Sequence, residues 1–240
     1  MGWSYSFWRG SFYPKDMASK ELLSYYAKRL GSVEVDYTFY RIPRTETVAE
    51  WKKQTPEGFV FSLKFPQKIT HVKMLKDAQE ETRVFLERVN ALGVKLGSLL
   101  LQLPPMFSKR HVPLLTDYLK ALPREHRYAV ELRNKSLLNE EVYSVLRDSN
   151  AALVWVDAAK MPLITEVTAD FLYVRWMGDR KTVTGTLGKT EADRALQIEK
   201  WANRLKPFLD RDMEVFGYFS KYYSGNPTLD ADQLLKNLKA

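Results

Sequence analysis

The sequence of 240 residues contains no cysteine and only three histidines. The lack of cysteine excludes disulfides and thiolate metal sites, and it is typical of proteins from a reducing compartment. No run of about 18 apolar residues, the length that a membrane-spanning helix needs, is present. No charged-then-apolar leader precedes the first residues. These absences predict a cytoplasmic protein with no membrane partner.

The sequence does contain a regular alternation of two kinds of segment. Short apolar runs rich in β-branched and aromatic residues alternate with amphipathic stretches of helical period. The apolar runs lie at 32–40, 59–65, 96–104, 128–134, 151–158, 171–178 and 214–220. Helices are expected at 18–30, 46–54, 77–93, 110–121, 139–149, 190–209 and 228–239.

Together with a short strand inside Met1–Tyr5, these runs predict eight strands and a single (β/α)8 TIM-like barrel. The first strand is expected to be short or truncated. Because 159–170 shows no helical pattern, the crossover after the sixth strand is expected to be irregular. Asp77 is a candidate N-cap, with Glu80 completing a capping box. The length suits one barrel, so one domain over residues 1–240 is expected.

In such a barrel, alternate residues of each strand face the interior, and functional residues lie at the C-terminal ends of the strands. The alternation predicts that six consecutive strands place polar side chains inward near that end. These residues are Glu34, Asp36, Lys64, Gln102, Glu131, Arg133, Asp157, Tyr173 and Arg175. Since buried polar groups need partners, we expect them to surround a ligand site at the mouth of the barrel. The alternative is that they only form ion pairs, such as Glu131 with Arg133 or Arg175.

These side chains offer several kinds of chemistry. Glu34, Glu131 and Asp157 are candidate catalytic acids or bases. Lys64 is a candidate catalytic nucleophile with a lowered pKa, although plain anion binding explains it equally well. No cofactor is predicted, but the three carboxylates would also suit Mg²⁺ or Mn²⁺. The predicted substrate-binding residues are Trp3, Tyr5, Trp8, Asp36, Tyr40, His71, Gln102, Arg133 and Arg175.

The segment Gly2–Pro14, GWSYSFWRGSFYP, holds six aromatic residues in thirteen, with neither strand nor helix spacing. Because it follows the first predicted strand, we expect it to lie at the mouth of the barrel. Trp3, Tyr5 and Trp8, nearest the strand end, are predicted to stack on a sugar or a base. The other aromatic residues of the segment are expected to pack against the next loop.

The net charge of +8 is unevenly spread, since residues 41–76 hold eight Lys and Arg against three acidic residues. Within them, KFPQKITHVKMLK has four lysines, His71 and no acid. Such a stretch attracts phosphates, nucleic acid or acidic metabolites, although a solvated surface has the same composition. His71 is the one histidine expected near the mouth.

Six segments, in this order, resemble the YecE-like family, the domain of unknown function 72: GWSYSFWRGSFYP, VEVDYTFYRIP, TPEGFVFSLKFPQKITH, LLLQLPPMF, AVELRNKS and YVRWMG. The resemblance implies a TIM-like barrel and no particular activity. Beyond the site residues above, it singles out Phe39, Thr70, Pro104 and Pro105. The sequence departs from the family pattern at Met177, where a histidine is common. It also departs at Ser220 and Lys221, where two asparagines are common.

Three functions fit these observations. The favoured one is an enzyme, of hydrolase, lyase or isomerase type, that acts on a small anionic or sugar-like substrate at the mouth. The second is a protein that binds or processes nucleic acid through residues 41–76 and exposed aromatic side chains. The third is a barrel that binds a ligand without catalysis. The sequence does not predict the oligomeric state.

Overall fold

Seven parallel β-strands form a nearly closed barrel in the computed structural model, which describes residues 1–239. The strands pair in sequence order, so each neighbour in the sheet is also the next strand along the chain. They are β1 Ser32–Val35, β2 Val60–Lys64, β3 Leu96–Gln102, β4 Arg127–Glu131, β5 Ala151–Ala158, β6 Phe171–Gly178 and β7 Glu214–Phe219. The predicted TIM-like architecture is confirmed.

Helices follow most of the strands and pack on the outside of the barrel. They are α1 Leu22–Ala27, α2 Tyr37–Tyr40, α3 Thr45–Gln54, α4 Gln79–Val89, α5 Val112–Ala121, α6 Glu140–Asp148, α7 Ala195–Leu209, α8 Lys221–Ser224 and α9 Pro227–Lys239. Each of the seven predicted helices is found. Within residues 1–239, no helix is both long and apolar enough to cross a bilayer.

Two local predictions are wrong. The run 32–40 is not one strand, because the backbone of Asp36 turns into the helical region (φ −76°, ψ −20°) and α2 follows. Asp77 is not the N-cap of α4, since Ala78 occupies that position and no side chain caps the helix. Asp77 has a φ of 48° and belongs to the preceding turn, while Glu80 pairs with Arg83.

The first predicted strand is reduced to two bridging residues. Within the described chain no strand is assigned at Met1–Tyr5. The amino nitrogen of Met1 donates to the carbonyl of Phe219 on β7 (3.0 Å), and the N–H of Gly2 donates to the carbonyl of Glu34 on β1 (2.8 Å). These residues therefore span the gap between β7 and β1 near the mouth. The crossover at 159–170 contains no helix, as predicted.

The interior of the barrel changes from apolar to polar towards the C-terminal ends of the strands. Leu100, Val154 and Phe216 belong to an apolar cluster inside the barrel. Above them, the hydroxyl of Tyr173 donates to Glu34 (2.7 Å) and that of Tyr218 donates to Ser62 (2.8 Å). Towards the mouth, the apolar layer is therefore followed by a layer of hydrogen-bonded hydroxyls. The charged groups of the mouth lie above these hydroxyls.

Strand β5 has the opposite orientation to the one predicted. Val154 and Val156 face the interior, whereas Trp155 packs among residues of β6 and α7. The sequence of this strand is apolar on both faces, so hydrophobicity alone does not fix its orientation. The large ring of Trp155 is accommodated in the helix layer, and Asp157 therefore faces outward, where the indole of Trp201 donates to its carboxylate (2.8 Å).

Gly178, at the end of β6, is expected to be essential for the packing of the loops at the mouth. Its φ is +64°, and a Cβ atom there would lie 2.1 Å from the carbonyl oxygen of Tyr222. Gly178→Ala should lower the free energy of unfolding by about 2–4 kcal/mol, because backbone strain and steric overlap add. Gly58 (φ +85°, with open space around it) is the matched control for strain alone.

The measurement is guanidinium unfolding of both variants. Gly58→Ala should cost only about 1–2 kcal/mol. Equal losses of unfolding free energy in the two variants would show that the close contact of Gly178 with Tyr222 contributes nothing to the stability of the protein.

Candidate functional site at the mouth of the barrel

A buried group of three charged side chains from opposite sides of the barrel forms the floor of the mouth. The guanidinium of Arg175 on β6 pairs with Glu34 on β1 (2.8 Å) and with Glu131 on β4. All three side chains are buried. Despite the cost of burial, the two carboxylates hold the pKa of Arg175 well above its ordinary value. The predicted alternative of ion pairing is therefore realised for Glu131 and Arg175.

Glu131 has two more partners. The amide of Gln102 donates to its carboxylate (2.8 Å), and Arg133 approaches the same oxygen at 3.8 Å. Burial disfavours the ionised form, but Arg175 and then Gln102 more than offset it, so the pKa of Glu131 lies below 4.5. Glu131 is thus an ionised, fully engaged carboxylate rather than a free acid or base.

A cavity of about 600 Å³ opens above this floor. It lies at the C-terminal ends of the strands, where barrels of this kind hold their active sites. Eight of the thirteen predicted site residues line it: Tyr5, Asp36, Tyr40, Lys64, Gln102, Glu131, Arg133 and Arg175. Their catalytic and substrate-binding roles stay predictions, but their convergence on one cavity is observed.

Lys64 differs from the three floor residues, because its amine has no carboxylate or hydrogen-bond partner within residues 1–239. It lies 4.2 Å from the centre of the Phe39 ring and is 7% exposed. Burial, and then the charge of Arg175, lower its pKa below 10.5.

His71 lies beside the cavity rather than on its surface. Its Nδ1 is 2.8 Å from the hydroxyl of Thr70, and its ring packs edge-on against Phe39. Burial, followed by the charges of Lys64 and Arg133, lowers the pKa of His71, so the imidazole is mainly neutral at neutral pH. Its predicted role in substrate binding remains a prediction.

A basic wall, which we define as Arg180, Lys181 and Lys221, closes one side of the cavity. Arg180 lies over the ring of Tyr222 (4.6 Å), and Lys221 lies near the ring of Phe7 (5.3 Å). None of the three forms an ion pair in the described part of the chain. The sequence did not predict them as site residues, because Arg180 and Lys181 lie in a turn and Lys221 begins the short helix α8, where no periodicity assigns a face. Their position just after β6 and β7 is the signal that would have found them.

Four predicted site residues lie elsewhere. Glu34 is fully buried beneath the cavity, and Asp157 faces the helix layer. Trp3 packs edge-on against Trp51 of α3 (5.8 Å), outside the mouth. Trp8 is 2% exposed and packs against Tyr5 and other rings of its own loop. The aromatic loop therefore contributes Tyr5 to the cavity, while neither tryptophan lines it.

The carboxylates predicted as a Mg²⁺ or Mn²⁺ site do not converge. Glu34 and Glu131 are held by Arg175, and Asp157 is on the other face of β5. Residues 1–239 contain no group of three or more His, Cys, Asp and Glu arranged to hold a metal ion.

The basic stretch 41–76 is not one continuous free surface. Lys68 and Lys73 both pair with Glu81 (2.9 and 2.7 Å), and Lys64 is inside the mouth. On the outside, the amine of Lys52 donates to the carbonyl of Ala91 (3.2 Å). The positive charge of the stretch is divided between different faces of the molecule.

The fold and the site define a TIM-like barrel with a polar, mainly basic cavity at the C-terminal ends of its strands. The family model described as "Protein of unknown function DUF72" matches residues 1–240, and the chain belongs to this family. Met177, Ser220 and Lys221, where the sequence departs from the family pattern, all line the cavity.

Several relatives agree with this assignment. The UPF0759 protein YecE of Escherichia coli is 38% identical over 112 residues, which cover 47% of this chain and 41% of that protein. The UPF0759 protein YunF of Bacillus subtilis is 25% identical over 95% of this chain and 90% of its own length. The crystal structure of a DUF72 family protein from Thermotoga maritima has a TM-score of 0.81 and 27% identity, and covers 100% of this chain and 97% of that chain. One from Enterococcus faecalis has a TM-score of 0.75 and 27% identity over 91% of this chain and 93% of that chain.

Arg175→Met is expected to destabilise the protein by at least about 3–5 kcal/mol, because Glu34 and Glu131 would remain buried without a counter-charge. Guanidinium unfolding measures this loss. Arg83→Met is the control, since Arg83 pairs with Glu80 and Glu87 on the surface (2.8 and 3.3 Å) and should cost less than about 1 kcal/mol. Similar losses in the two variants would contradict the structural role of the buried charges.

The stability should also depend on pH through Glu131. Because its folded pKa lies below 4.5, its stabilising contribution is complete above that pH and is lost as the pH falls through the folded value. Glu131→Gln should therefore flatten the acid limb of the stability curve, measured by urea unfolding from about pH 7 to pH 3. An unchanged acid limb would assign the acid sensitivity to other groups.

Proposed function

We propose that the mouth of the barrel is the active site of an enzyme that acts on a small anionic or sugar-like substrate. The observation that supports this most is that some cations around the cavity are paired with carboxylates and others are not. Arg175 is neutralised by two carboxylates, whereas Lys64 and the basic wall have no acidic partner within residues 1–239. Cations left without partners in a concave site favour an anionic ligand.

The basic wall is the side of the cavity suited to a phosphate or carboxylate. Its three cations come from the segments that follow β6 and β7, and charge-assisted hydrogen bonds from such groups are the strong ones. The loops after the last two strands are where barrels of this kind frequently bind phosphate. Tyr5 adds a phenol whose pKa is raised to about 12, by burial first, so it stays a hydrogen-bond donor.

Groups suited to proton transfer line the same cavity. Asp36 lines it and makes no side-chain hydrogen bond or ion pair in the described chain. Lys64 lines it with an unpartnered amine. An anion held by the basic wall would bring the rest of a small molecule into the cavity that these two groups line, an arrangement that suits acid–base catalysis.

The test uses inorganic phosphate, ribose 5-phosphate and a single-stranded oligonucleotide as probes in thermal unfolding and calorimetry. A small phosphorylated ligand should stabilise the protein by about 1.4 kcal/mol at ten times its Kd. Lys221→Gln and Arg180→Gln should each weaken binding by about tenfold or more. Lys120, on α5, provides the control Lys120→Gln, which should bind like the unmodified protein.

Two outcomes would overturn the proposal. In one, no small anion stabilises the protein or the basic-wall variants bind as well as the control. In the other, only the oligonucleotide binds, with an affinity that falls steeply with salt, which would favour the competing proposal of a nucleic-acid protein.

A further inference from the structure

Lys64 is placed differently from a lysine that only binds anions. It projects from the end of β2 into the barrel, its amine lies over the ring of Phe39 (4.2 Å), and 7% of the residue is exposed. A strongly hydrated ammonium loses most of its water in such a position. The cavity is nevertheless open to the amine, since Lys64 is one of its lining residues.

The charged groups around Lys64 do not form a salt bridge with it. Arg175 faces it from β6, Glu34 from β1 and Glu131 from β4. Asp36 faces it from the turn after β1, and His71 lies on the segment after β2. Two of these carboxylates are already paired with Arg175. Burial and Arg175 outweigh the carboxylates, so the neutral amine is more populated than in a free lysine.

We propose that Lys64 is the nucleophile of the mouth and that the substrate is a small anionic aldehyde or ketone, which Lys64 captures as an imine. The proposal rests on the proposed function above and specifies its substrate class. The basic wall and the amine share one cavity of about 600 Å³. The wall holds the anionic group, and Lys64 reaches the carbonyl carbon.

The step balances without an oxidant or a reductant. The lone pair of the neutral Nζ forms a bond to the carbonyl carbon, and the π electrons move to the oxygen. Proton transfer gives a carbinolamine; its C–O bond then breaks, and the oxygen leaves as water with a proton supplied through Asp36. One amine, one carbonyl and one proton thus give one protonated imine and one water.

The protonated imine withdraws electrons from the adjacent carbon, which prepares a C–H or C–C bond at that carbon for cleavage. Asp36 is the unengaged carboxylate of the cavity and is placed to take the proton. The reaction class is therefore an isomerase or a lyase rather than a hydrolase.

Borohydride trapping of the full chain tests the proposal, because it reduces an imine to a stable secondary amine. The probes are dihydroxyacetone phosphate and glyoxylate, followed by intact mass and peptide mapping. We expect one adduct per chain, at Lys64, at least about tenfold above that on exposed Lys120, because the basic wall holds the anionic probe beside the amine of Lys64. Lys64→Arg should lose the adduct, and Lys120→Arg should keep it.

The outcomes separate this proposal from the broader one. If phosphate stabilises the protein and neither probe labels Lys64 above Lys120, the imine is refuted while an anion-binding active site stands. If phosphate does not bind and no adduct forms, both proposals fail. If Lys64→Arg does not fold, the site of the adduct in the unmodified chain and the retained label in Lys120→Arg decide the question.

Discussion

One guanidinium held between two carboxylates at the centre of the barrel determines how the whole mouth is arranged. Arg175 joins Glu34 on β1 and Glu131 on β4, so a single buried group connects opposite sides of the sheet. Burying three charges is costly unless each has a partner, and here Tyr173 and Gln102 donate further hydrogen bonds to the two carboxylates. Within residues 1–239, the Nε of Arg175 has no hydrogen-bond partner. The polar layer is therefore both a structural element and the floor of a cavity.

This arrangement changes which side chains are free to act. Three of the predicted site residues, Glu34, Glu131 and Arg175, are paired with one another. The free groups are at the periphery: Asp36, Lys64 and the basic wall. The polar residues therefore both form ion pairs and surround a cavity. The paired charges form its floor, and the unpaired charges line its sides.

The sequence predicts the orientation of a strand only where one face of the strand is clearly more apolar than the other. On β2 and β3 one face is wholly apolar, so alternation correctly placed Lys64 and Gln102 inside the barrel. On β5 both faces are apolar, and Asp157 was assigned to the wrong one. The burial of Trp8 in the aromatic loop is a second feature that the sequence does not predict. Trp8 is buried by contacts with Tyr5 and Tyr13, and the irregular spacing of the aromatic residues gives no indication of these contacts. The basic wall lies in a turn and at the start of the short helix α8, where no periodicity assigns a face.

The positions at which this chain departs from the family pattern support a division between the floor and the wall. Glu34, Lys64, Glu131 and Arg175 belong to the motifs that carry the family resemblance, and they form the floor or line it. Lys221, where an asparagine is common, belongs to the wall. An amide pairs equally well with neutral hydroxyls and carbonyls, whereas a lysine donates three hydrogen bonds and favours an anion. If the proposed function holds, Lys221 therefore shifts the preference of the wall in this protein towards an anionic ligand.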